Sequence, residues 1–528
     1  MTLTLSRRCV PLGALLTVAL LVLAACGSAP NRTEGHQGQY VDEIPLQDDF
    51  DPEAHFDYAY SVATSSWDPT QSVSGYDFVF LAPVYDRLVW SSPNGDLEPM
   101  LATSWTPTAD GTAVDLTLRE GVTFSDGTPF NAEAVKINLD RAVGEGSRIA
   151  TEIAQLESVE IIDEYTVRLV APTGAGALVG SLSQRAGMMA SPAAIESGTL
   201  GQQPVGAGVY VVTETVAANY TDFAKREGYW DPSVQRVATM TFQLMTDDQT
   251  RLNALLSGQV DGASVRAFQM NAADRAGFNM VSRPTSLFAY LTVNSAQAPF
   301  DNPLVLEALN YAIDREAIGN GFYEGMCRPQ IQPWPEDSFA YSDEIGDGLD
   351  VWAYDPEKAR ALLADAGYPD GIEMTAVTTN VTAYMQLSEA IQYQLGQVGI
   401  DMTIQAVPTP QVIETFSVQK SVQANINPYS GVADPHGVAS RHLLPGATYD
   451  VGAPVSQQIT DLALQAATPV DPQERAPLYA QMMQAMIDNP THLMPICSLY
   501  AIDAFSDNVS SVSMNTLGMQ DLRGVALS

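Results

Sequence analysis

Strand-like and helix-like segments alternate along most of this chain, and only a few fold classes are compatible with that pattern. Residues 113–118 alternate apolar and polar side chains, which is typical of a half-buried strand. The turn cluster SDGTP follows at residues 125–129, and Asn131 then stands where a helix N-cap belongs. Repetition of this strand–turn–helix order predicts an α/β protein.

The same reasoning predicts the elements across the rest of the chain. The predicted strands are Ala113–Leu118, Glu160–Val170, Val237–Leu244, Phe288–Val293 and Ile400–Val407. The predicted helices are Asn131–Arg141, Asp248–Ser257, Pro303–Ile313, Asp355–Ala366, Tyr384–Gln397 and Pro472–Ile487. The fourth helix has the clearest limits, because Asp355-Pro356 is an N-cap followed by a first-turn proline and Gly367 is a left-handed stop.

The N-terminus has the pattern of an export signal. Arg7-Arg8 precedes the apolar run Val10–Leu23, which is short for a membrane span. Leu23-Ala24-Ala25-Cys26 resembles a bacterial lipobox, although an ordinary secretory signal with a chance cysteine is the alternative. The lipobox predicts that residues 1–25 are a lipoprotein signal peptide and that residues 26–40 are a lipidated flexible tether. The lipid on Cys26 would hold the chain at the outer face of the cytoplasmic membrane, in a periplasmic or extracellular setting.

The charge balance excludes nucleic acid as a partner. The chain has 25 basic and 62 acidic residues, a net charge of −37. The predicted signal peptide holds two arginines and no acid, so its removal makes the net charge −39. A surface with this charge repels phosphate backbones.

No catalytic motif is apparent. Gly-x-Ser-x-Gly and the Walker lysine loop are absent, and the glycine-rich runs 174–176 and 206–208 do not complete Gly-x-Gly-x-x-Gly. A metal site at Asp434, His436 and His442 is conceivable, but solvated loop residues are the simpler interpretation. We therefore predict no enzyme activity, no cofactor and no metal, with an exported carboxylate-pair hydrolase as the alternative outside binding.

A series of motifs carries a family resemblance. Residues 104–142 contain Ser-Trp, Asp-Gly, a strand ending in Leu-Arg, Phe-x-Asp-Gly-x-Pro and Ala-x-x-Val in that order. The further motifs are VYDRLV (84–89), PVGAGVY (204–210), REGYWDP (226–232), LLSGQVDGA (255–263), LTVNSAQAPFDNPLVLEALNYAIDREAI (291–318), YDPEKARALLADAGYPDG (354–371) and DPQERAPLY (471–479). Together they resemble the extracellular solute-binding proteins of family 5, the dipeptide-, oligopeptide- and nickel-type binding proteins of ABC importers.

The resemblance implies a fold and a division of the chain. The fold is a two-lobed α/β clamp of the periplasmic-binding-protein type (type II, peptide-binding cluster), with an extra subdomain in the first lobe. The first lobe takes residues 41–85, 200–290 and 498–528. Residues 86–199 form the extra subdomain, and residues 291–497 form the second lobe.

The implied function is capture and delivery of a solute. The chain would bind a peptide-like solute between its lobes, as a monomer, and deliver it to the permease subunits of an ABC importer. A non-peptide solute remains open: an opine, an oligosaccharide or a chelated metal. A lipid tether suits this function because it keeps the protein close to its transporter.

The resemblance also suggests residues that contact the ligand in the cleft. They are Trp67, Tyr290, Asn294, Trp334, Asn380, Tyr384, Tyr429, Asp434 and Arg441. Trp67 is equally compatible with a packed core, Asp434 with a turn before Pro435, and Arg441 with a surface arginine.

Two features of the resemblance need separate mention. Peptide-binding members often carry an aspartate before the Asp-Pro step, whereas this chain has residues 430–433, Ser-Gly-Val-Ala, and no acid until Asp434. That departure argues against a ligand with a free peptide amine. The resemblance also puts Cys327 and Cys497 near the hinge, where a disulfide or two separate buried thiols are both possible.

Overall fold

The computed structural model describes residues 41–93, 95–429, 433–449 and 455–528. The predicted signal peptide, the tether, Cys26 and residues 430–432 of the cleft loop lie outside these ranges. Within them, no helix combines the length and the apolar character that crossing a membrane would require.

The described elements alternate as an α/β protein. The strands are β1 Glu43–Ile44, β2 His55–Tyr60, β3 Val89–Ser91, β4 Leu97–Pro99, β5 Ala102–Pro107, β6 Ala113–Leu118, β7 Ser158–Asp163, β8 Thr166–Val170, β9 Tyr210–Val216, β10 Tyr220–Lys225, β11 Thr239–Leu244, β12 Gly262–Ser264, β13 Asn279–Val293, β14 Cys327–Pro329, β15 Ile372–Thr379, β16 Ile400–Val407, β17 Ala424–Pro428, β18 Leu493–Phe505, β19 Val509–Ser510, β20 Val512–Met514, β21 Gln520–Asp521 and β22 Ala526–Leu527. The α-helices are α1 Phe78–Leu81, α2 Ala132–Val143, α3 Ala175–Ser181, α4 Pro192–Ser197, α5 Asp248–Leu256, α6 Met270–Arg275, α7 Pro303–Ala312, α8 Pro356–Asp365, α9 Thr382–Gly396, α10 Thr409–Ile413, α11 His436–Val438, α12 Gln457–Ala467 and α13 Pro472–Asp488.

Each of the six predicted helices is present, with its ends within two residues of the prediction. Their caps explain this agreement. The Asn131 side chain accepts a hydrogen bond from the Ala134 amide at 3.1 Å, and Asp355 accepts one from the Lys358 amide at 2.8 Å. Gly367 has a φ of +96°, the left-handed conformation that ends α8.

One predicted strand is wrong. The run 160–170 is not continuous but folds into two antiparallel strands, β7 and β8. Between them the Tyr165 amide donates to the Asp163 carboxylate at 2.9 Å, which forms an Asx turn. Asp163 and Glu164 therefore mark a hairpin within the apolar–polar alternation.

One large sheet runs through the molecule. Its strand order is β16-β15-β17-β13-β18-β12-β2-β11-β10-β9, and β14 pairs with β18. A separate four-stranded antiparallel sheet, β5-β6-β8-β7, lies in the segment predicted to be the extra subdomain. Strands β13 and β18 are the long central pair and belong to both halves of the large sheet.

The antiparallel pairing of β13 and β18 is interrupted in its middle. The register runs from Asn279 to Pro284 and resumes only at Phe288, which faces Ser498. The three residues between them carry no ladder pair, so the strands have a natural break between the halves. Arg283 stands at this break, and its guanidinium donates to the Met514 carbonyl at 3.1 Å and also contacts Asp337.

The buried cores follow the same division. One cluster draws its residues from 44–85, 188–281 and 505–527, and another comes from 88–207 around the four-stranded sheet. The main clusters beyond the break come from 288–497. Cys327 and Cys497 lie in this last group, joined by a disulfide with their Cα atoms 5.3 Å apart.

Candidate functional site

Two walls face one another where the halves of the sheet meet. Burial and the nearby Tyr76 raise the pKa of Tyr384 to about 12, and Arg266 opposes this rise. Tyr384 belongs to α9 in the second half, whereas Tyr76 and Arg266 belong to the first. Burial raises the pKa of Tyr429, also to about 12, with smaller contributions from Tyr449 and from Glu152 of the opposite wall. Residues of both sides, Asp96 on one and Trp334 and Tyr429 on the other, line a cavity between these walls, which defines a cleft.

The first wall carries a connected set of polar side chains. Asp77 is buried and accepts hydrogen bonds from the Ser65 amide at 2.8 Å and from the Ser72 hydroxyl at 2.6 Å. Arg185 donates to the same Ser72 hydroxyl at 2.8 Å and forms an ion pair with Glu152. These bonds hold charged groups in fixed positions before any solute arrives, which lowers the cost of ordering them.

The second wall is aromatic and centred on His442. Its ring stacks on Tyr449 with the centroids 4.7 Å apart, and Tyr290 meets it edge-on at 5.1 Å. Burial, together with His492 and Arg441, lowers the pKa of His442, so the imidazole is neutral at pH 7. The Tyr290 hydroxyl is held in place by the Asn425 amide, which donates to it at 3.0 Å.

Tyr429 and Arg441 lie at the edge of this aromatic wall. The Arg441 guanidinium stands 5.8 Å from the centre of the Tyr429 ring. Among the described residues, no carboxylate lies within ion-pair distance of Arg441. The Tyr429 residue is buried, and its hydroxyl has no hydrogen-bond partner among the residues that the structure describes. A buried hydroxyl without a partner is costly and favours a ligand that supplies one.

A cavity of about 200 Å³ opens beside Tyr429. Trp334, Phe339, Pro435 and Val438 supply its apolar lining, and Asp96 comes from the opposite segment. The Trp334 indole N–H donates to the Pro435 carbonyl at 3.2 Å, which fixes the ring. The space is shaped by rigid aromatic groups and is suited to an apolar side chain of a bound solute.

Both carboxylate oxygens of Asp434 are already hydrogen-bonded within the protein. Its two carboxylate oxygens accept hydrogen bonds from the two terminal nitrogens of Arg475, each at 2.7 Å. Both side chains are almost fully buried, with 5% and 2% of their surface exposed. The Asp434 charge is thus neutralised internally, where the sequence suggested contact with a ligand.

The structure places the remaining predicted residues in different settings. Trp67 lies in the first-half core, with its ring edge-on to Phe80 and Phe223, so the core packing considered at the outset is the one adopted. Asn294 is buried beyond the end of β13, where its side chain accepts a hydrogen bond from the Ala296 amide at 3.2 Å. Asn380 is exposed just after β15, one turn before Tyr384.

Several residues of the site were missed from sequence. Asp77, Glu152 and Arg185 form the polar wall, and Arg475 binds Asp434 across 41 positions of sequence. Asp77, Glu152 and Arg185 lie outside the quoted motifs, and Arg475 lies in DPQERAPLY (471–479), which does not indicate its partner. Only the density of serines around Asp77 hinted at a hydrogen-bonded turn.

Within the described ranges, no group of three or more His, Cys, Asp or Glu side chains is arranged to hold a metal ion. The three residues considered for such a site have different surroundings. Asp434 forms an ion pair with Arg475, and His442 is part of the aromatic wall. Burial is the main cause that lowers the pKa of His436.

Comparisons with known proteins agree with this architecture. The glutathione-binding protein GsiB of Salmonella typhi is 32% identical over 445 residues, which cover 81% of this chain and 85% of that protein. The structure of HbpA2 from Haemophilus parasuis matches with a TM-score of 0.76 at 21% identity, over 90% of this chain and 100% of that one. The binding protein DppA of Helicobacter pylori, solved with the peptide STSA, matches with a TM-score of 0.74 at 23% identity, over 90% and 98%.

These structural matches establish a two-lobed periplasmic-binding-protein fold, as the resemblance predicted. The model of the bacterial extracellular solute-binding proteins, family 5 Middle, matches residues 96–446. The matched relatives are transport proteins rather than enzymes. With the fold, the sequence identity and the cleft in agreement, the chain belongs to the bacterial extracellular solute-binding proteins of family 5.

Proposed function

We propose that this protein is the substrate-binding component of an ABC importer and that it captures a peptide-like solute in the cleft between its lobes. The proposal rests on two neighbouring groups. Arg441 has no carboxylate partner among the described residues, and the hydroxyl of the nearby Tyr429 has no hydrogen-bond partner among them. Together they offer a cation and a hydrogen-bonding group to a carboxylate. Permease subunits would receive the solute.

The separate buried cores support two lobes that close over this solute. The first lobe consists of residues 41–85, 200–290 and 498–528, the extra subdomain of 86–199, and the second lobe of 291–497. The break in the pairing of β13 and β18 lies between the two lobes and is suited to act as a hinge. The chain would work as a monomer.

The residues proposed to contact the solute lie on the second-lobe wall and at its rim. Arg441 binds a carboxylate, Tyr429 donates or accepts a hydrogen bond, and Trp334 bounds the apolar cavity. Tyr384 contacts the solute from α9, and Asn380 contacts it from the position that follows β15. Tyr290 does not contact the solute directly but supports the wall, because its hydroxyl already accepts a hydrogen bond from Asn425 and its ring packs edge-on against His442.

The solute class follows from these groups and from the relatives. GsiB is named for glutathione, a peptide with free carboxylates. A solute that carries a carboxylate but no free ammonium suits this chain equally well, because the Asp434 charge is neutralised by Arg475. Opine-like solutes carry carboxylates and have a substituted amine in place of a primary ammonium, and they form the second candidate class, ahead of oligosaccharides and chelated metals.

The test of the proposed function is a thermal-shift and scattering experiment. A bound solute at 100 times its dissociation constant is expected to add about 2.7 kcal/mol to the free energy of unfolding and to reduce the radius of gyration. Candidate solutes are found by native mass spectrometry of freshly purified protein, then compared as free dipeptides, glutathione and N-acylated dipeptides. A tight solute that leaves the scattering unchanged would contradict capture by closure.

Arg441→Ala separates the role of the cation from the general shape of the cleft. The variant is expected to weaken a carboxylate-bearing solute at least 10-fold, because a charge-assisted bond is lost, and to leave the corresponding amide unaffected. Arg360→Ala is the matched control, since Arg360 is exposed on α8. Equal losses for the acid and the amide would remove Arg441 from this role.

We also propose that lipid on Cys26 anchors the protein outside the cytoplasmic membrane. Cys26→Ser is expected to release the protein from the membrane fraction or to block its processing, since the thiol is the acylation site. Membrane fractionation and intact-mass measurement check this, with Cys9→Ser as the matched control. An unmodified N-terminus on the wild-type protein would refute the anchor.

A further inference from the structure

Helix α3 brings the extra subdomain into direct contact with the second lobe. Every residue of Ala175–Ser181 is buried. Gly176 and Gly180 are four positions apart and therefore lie on the same face of the helix. In the sequence this run looked like an incomplete glycine loop, but it is a short helix that presents two positions without a side chain.

Gly176 meets the backbone of the second lobe. A Cβ atom at this position would lie 1.8 Å from the carbonyl oxygen of Pro469 and 2.6 Å from its carbonyl carbon. The Gly176 amide donates to the Thr468 carbonyl at 3.2 Å. Residues 468–470 follow α12 directly, so no flexible side-chain end is available to make room.

Gly180 meets the buried ion pair. A Cβ atom there would lie 2.8 Å from the Asp434 Oδ2 atom and 3.1 Å from its Cβ. Asp434 cannot turn away, because Arg475 binds both of its oxygens and also donates to the Ala466 carbonyl at 2.6 Å. The pair therefore presents a rigid, charge-neutral surface to the glycine.

The contact joins two separately packed bodies. Ala175, Leu178 and Val179 of α3 belong to the core of the four-stranded sheet. Ala463 and Ala466 of α12 belong to a second-lobe core. The helix therefore belongs to the core of the subdomain and its partners adjoin the core of the second lobe, with Val470 packed against the subdomain core at this contact.

We propose that Gly176 and Gly180 are positioning residues that permit the closed state, and that Asp434 and Arg475 form the surface on which α3 seats. The inference rests on the proposed capture of a solute by lobe closure. Adding a methyl group at Gly176 forces the backbones apart and disfavours closure, while the open molecule has space for it. Apparent affinity then falls in proportion to the closed fraction, although neither glycine touches the solute.

The test measures the distance between the lobes directly. Spin labels are placed at the exposed positions Glu133→Cys on α2 and Glu389→Cys on α9. The labelled protein lacks residues 1–26, so that the two introduced cysteines are its only free thiols beside the Cys327–Cys497 disulfide. Distance distributions are recorded in buffer, in concentrated sodium sulfate, which favours burial of surface, and with glutathione and a mixture of dipeptides.

The wild-type protein is expected to populate the short distance of the structure in sulfate and with a bound peptide. Gly176→Ala is expected to reduce that population about 10-fold or more, and Gly180→Ala to reduce it less, because its overlap is smaller. Gly396→Ala, at a helical glycine with open space around it, should behave as wild type. The melting temperature without solute should stay close to the wild-type value in each case.

Two outcomes overturn the inference. One is a closed population in Gly176→Ala equal to that of the wild type. The other is a large fall in its solute-free melting temperature, which would show that α3 and the 468–470 segment always move as one body. If sulfate closes the wild-type protein but no peptide does, the proposal of a peptide-like solute is refuted. The closed populations of the wild type and of Gly176→Ala in sulfate then still test the role of the glycines.

Discussion

Arg475→Met is expected to lower the free energy of unfolding by about 3–5 kcal/mol, the range found when one partner of a buried ion pair is removed. The Arg475 and Asp434 side chains are 2% and 5% exposed, and both carboxylate oxygens depend on this arginine. Without it a buried charge remains that water cannot reach. The variant also removes the donor to the Ala466 carbonyl.

Chemical denaturation and thermal unfolding, followed by circular dichroism, measure this loss. Arg360→Met on the exposed face of α8 is the matched control and should change stability by less than about 0.5 kcal/mol. The double variant Asp434→Asn/Arg475→Met should recover much of the loss, because no charge is then left buried. A single variant within about 1 kcal/mol of wild type would mean that water or a rearranged side chain solvates Asp434.

Removal of the disulfide between Cys327 and Cys497 is expected to cost about 5 kcal/mol as an upper figure. The two cysteines are separated by 170 positions, and the entropy of the unfolded chain rises with the logarithm of the loop that is opened. The bond links β14 to β18 inside the second-lobe core. It lies on one side of the hinge, so closure over a solute should persist without it.

Two measurements check this. Thiol counting in denaturant without reductant, on protein that lacks residues 1–26, should find no free thiol, and two free thiols per chain would refute the bond. The melting temperature of Cys327→Ala/Cys497→Ala should fall below that of wild type in the absence of reductant. A reductant should then lower the wild-type value under denaturing stress and leave the double variant unchanged.

The sequence by itself determined the local structure and the family. Helix limits were predictable because capping acts within three or four residues, as the bonds made by Asn131 and Asp355 illustrate. The ordered motifs from VYDRLV onward carried the resemblance to family 5, and the two-lobed architecture was predicted from that resemblance. The split of the predicted strand 160–170 shows the limit, since one Asx turn within it reversed the chain.

Only the tertiary structure decided which side chains form the cleft and which serve another purpose. Trp67 became a core residue because Phe80 and Phe223 surround it, and Asp434 gained a partner 41 positions away. The role proposed for Gly176 and Gly180 rests on their close approach to atoms of Pro469 and Asp434, which are far away in sequence. Capping and periodicity report on neighbours along the chain, whereas these roles depend on distances between residues far apart in sequence, which are set only when the lobes pack.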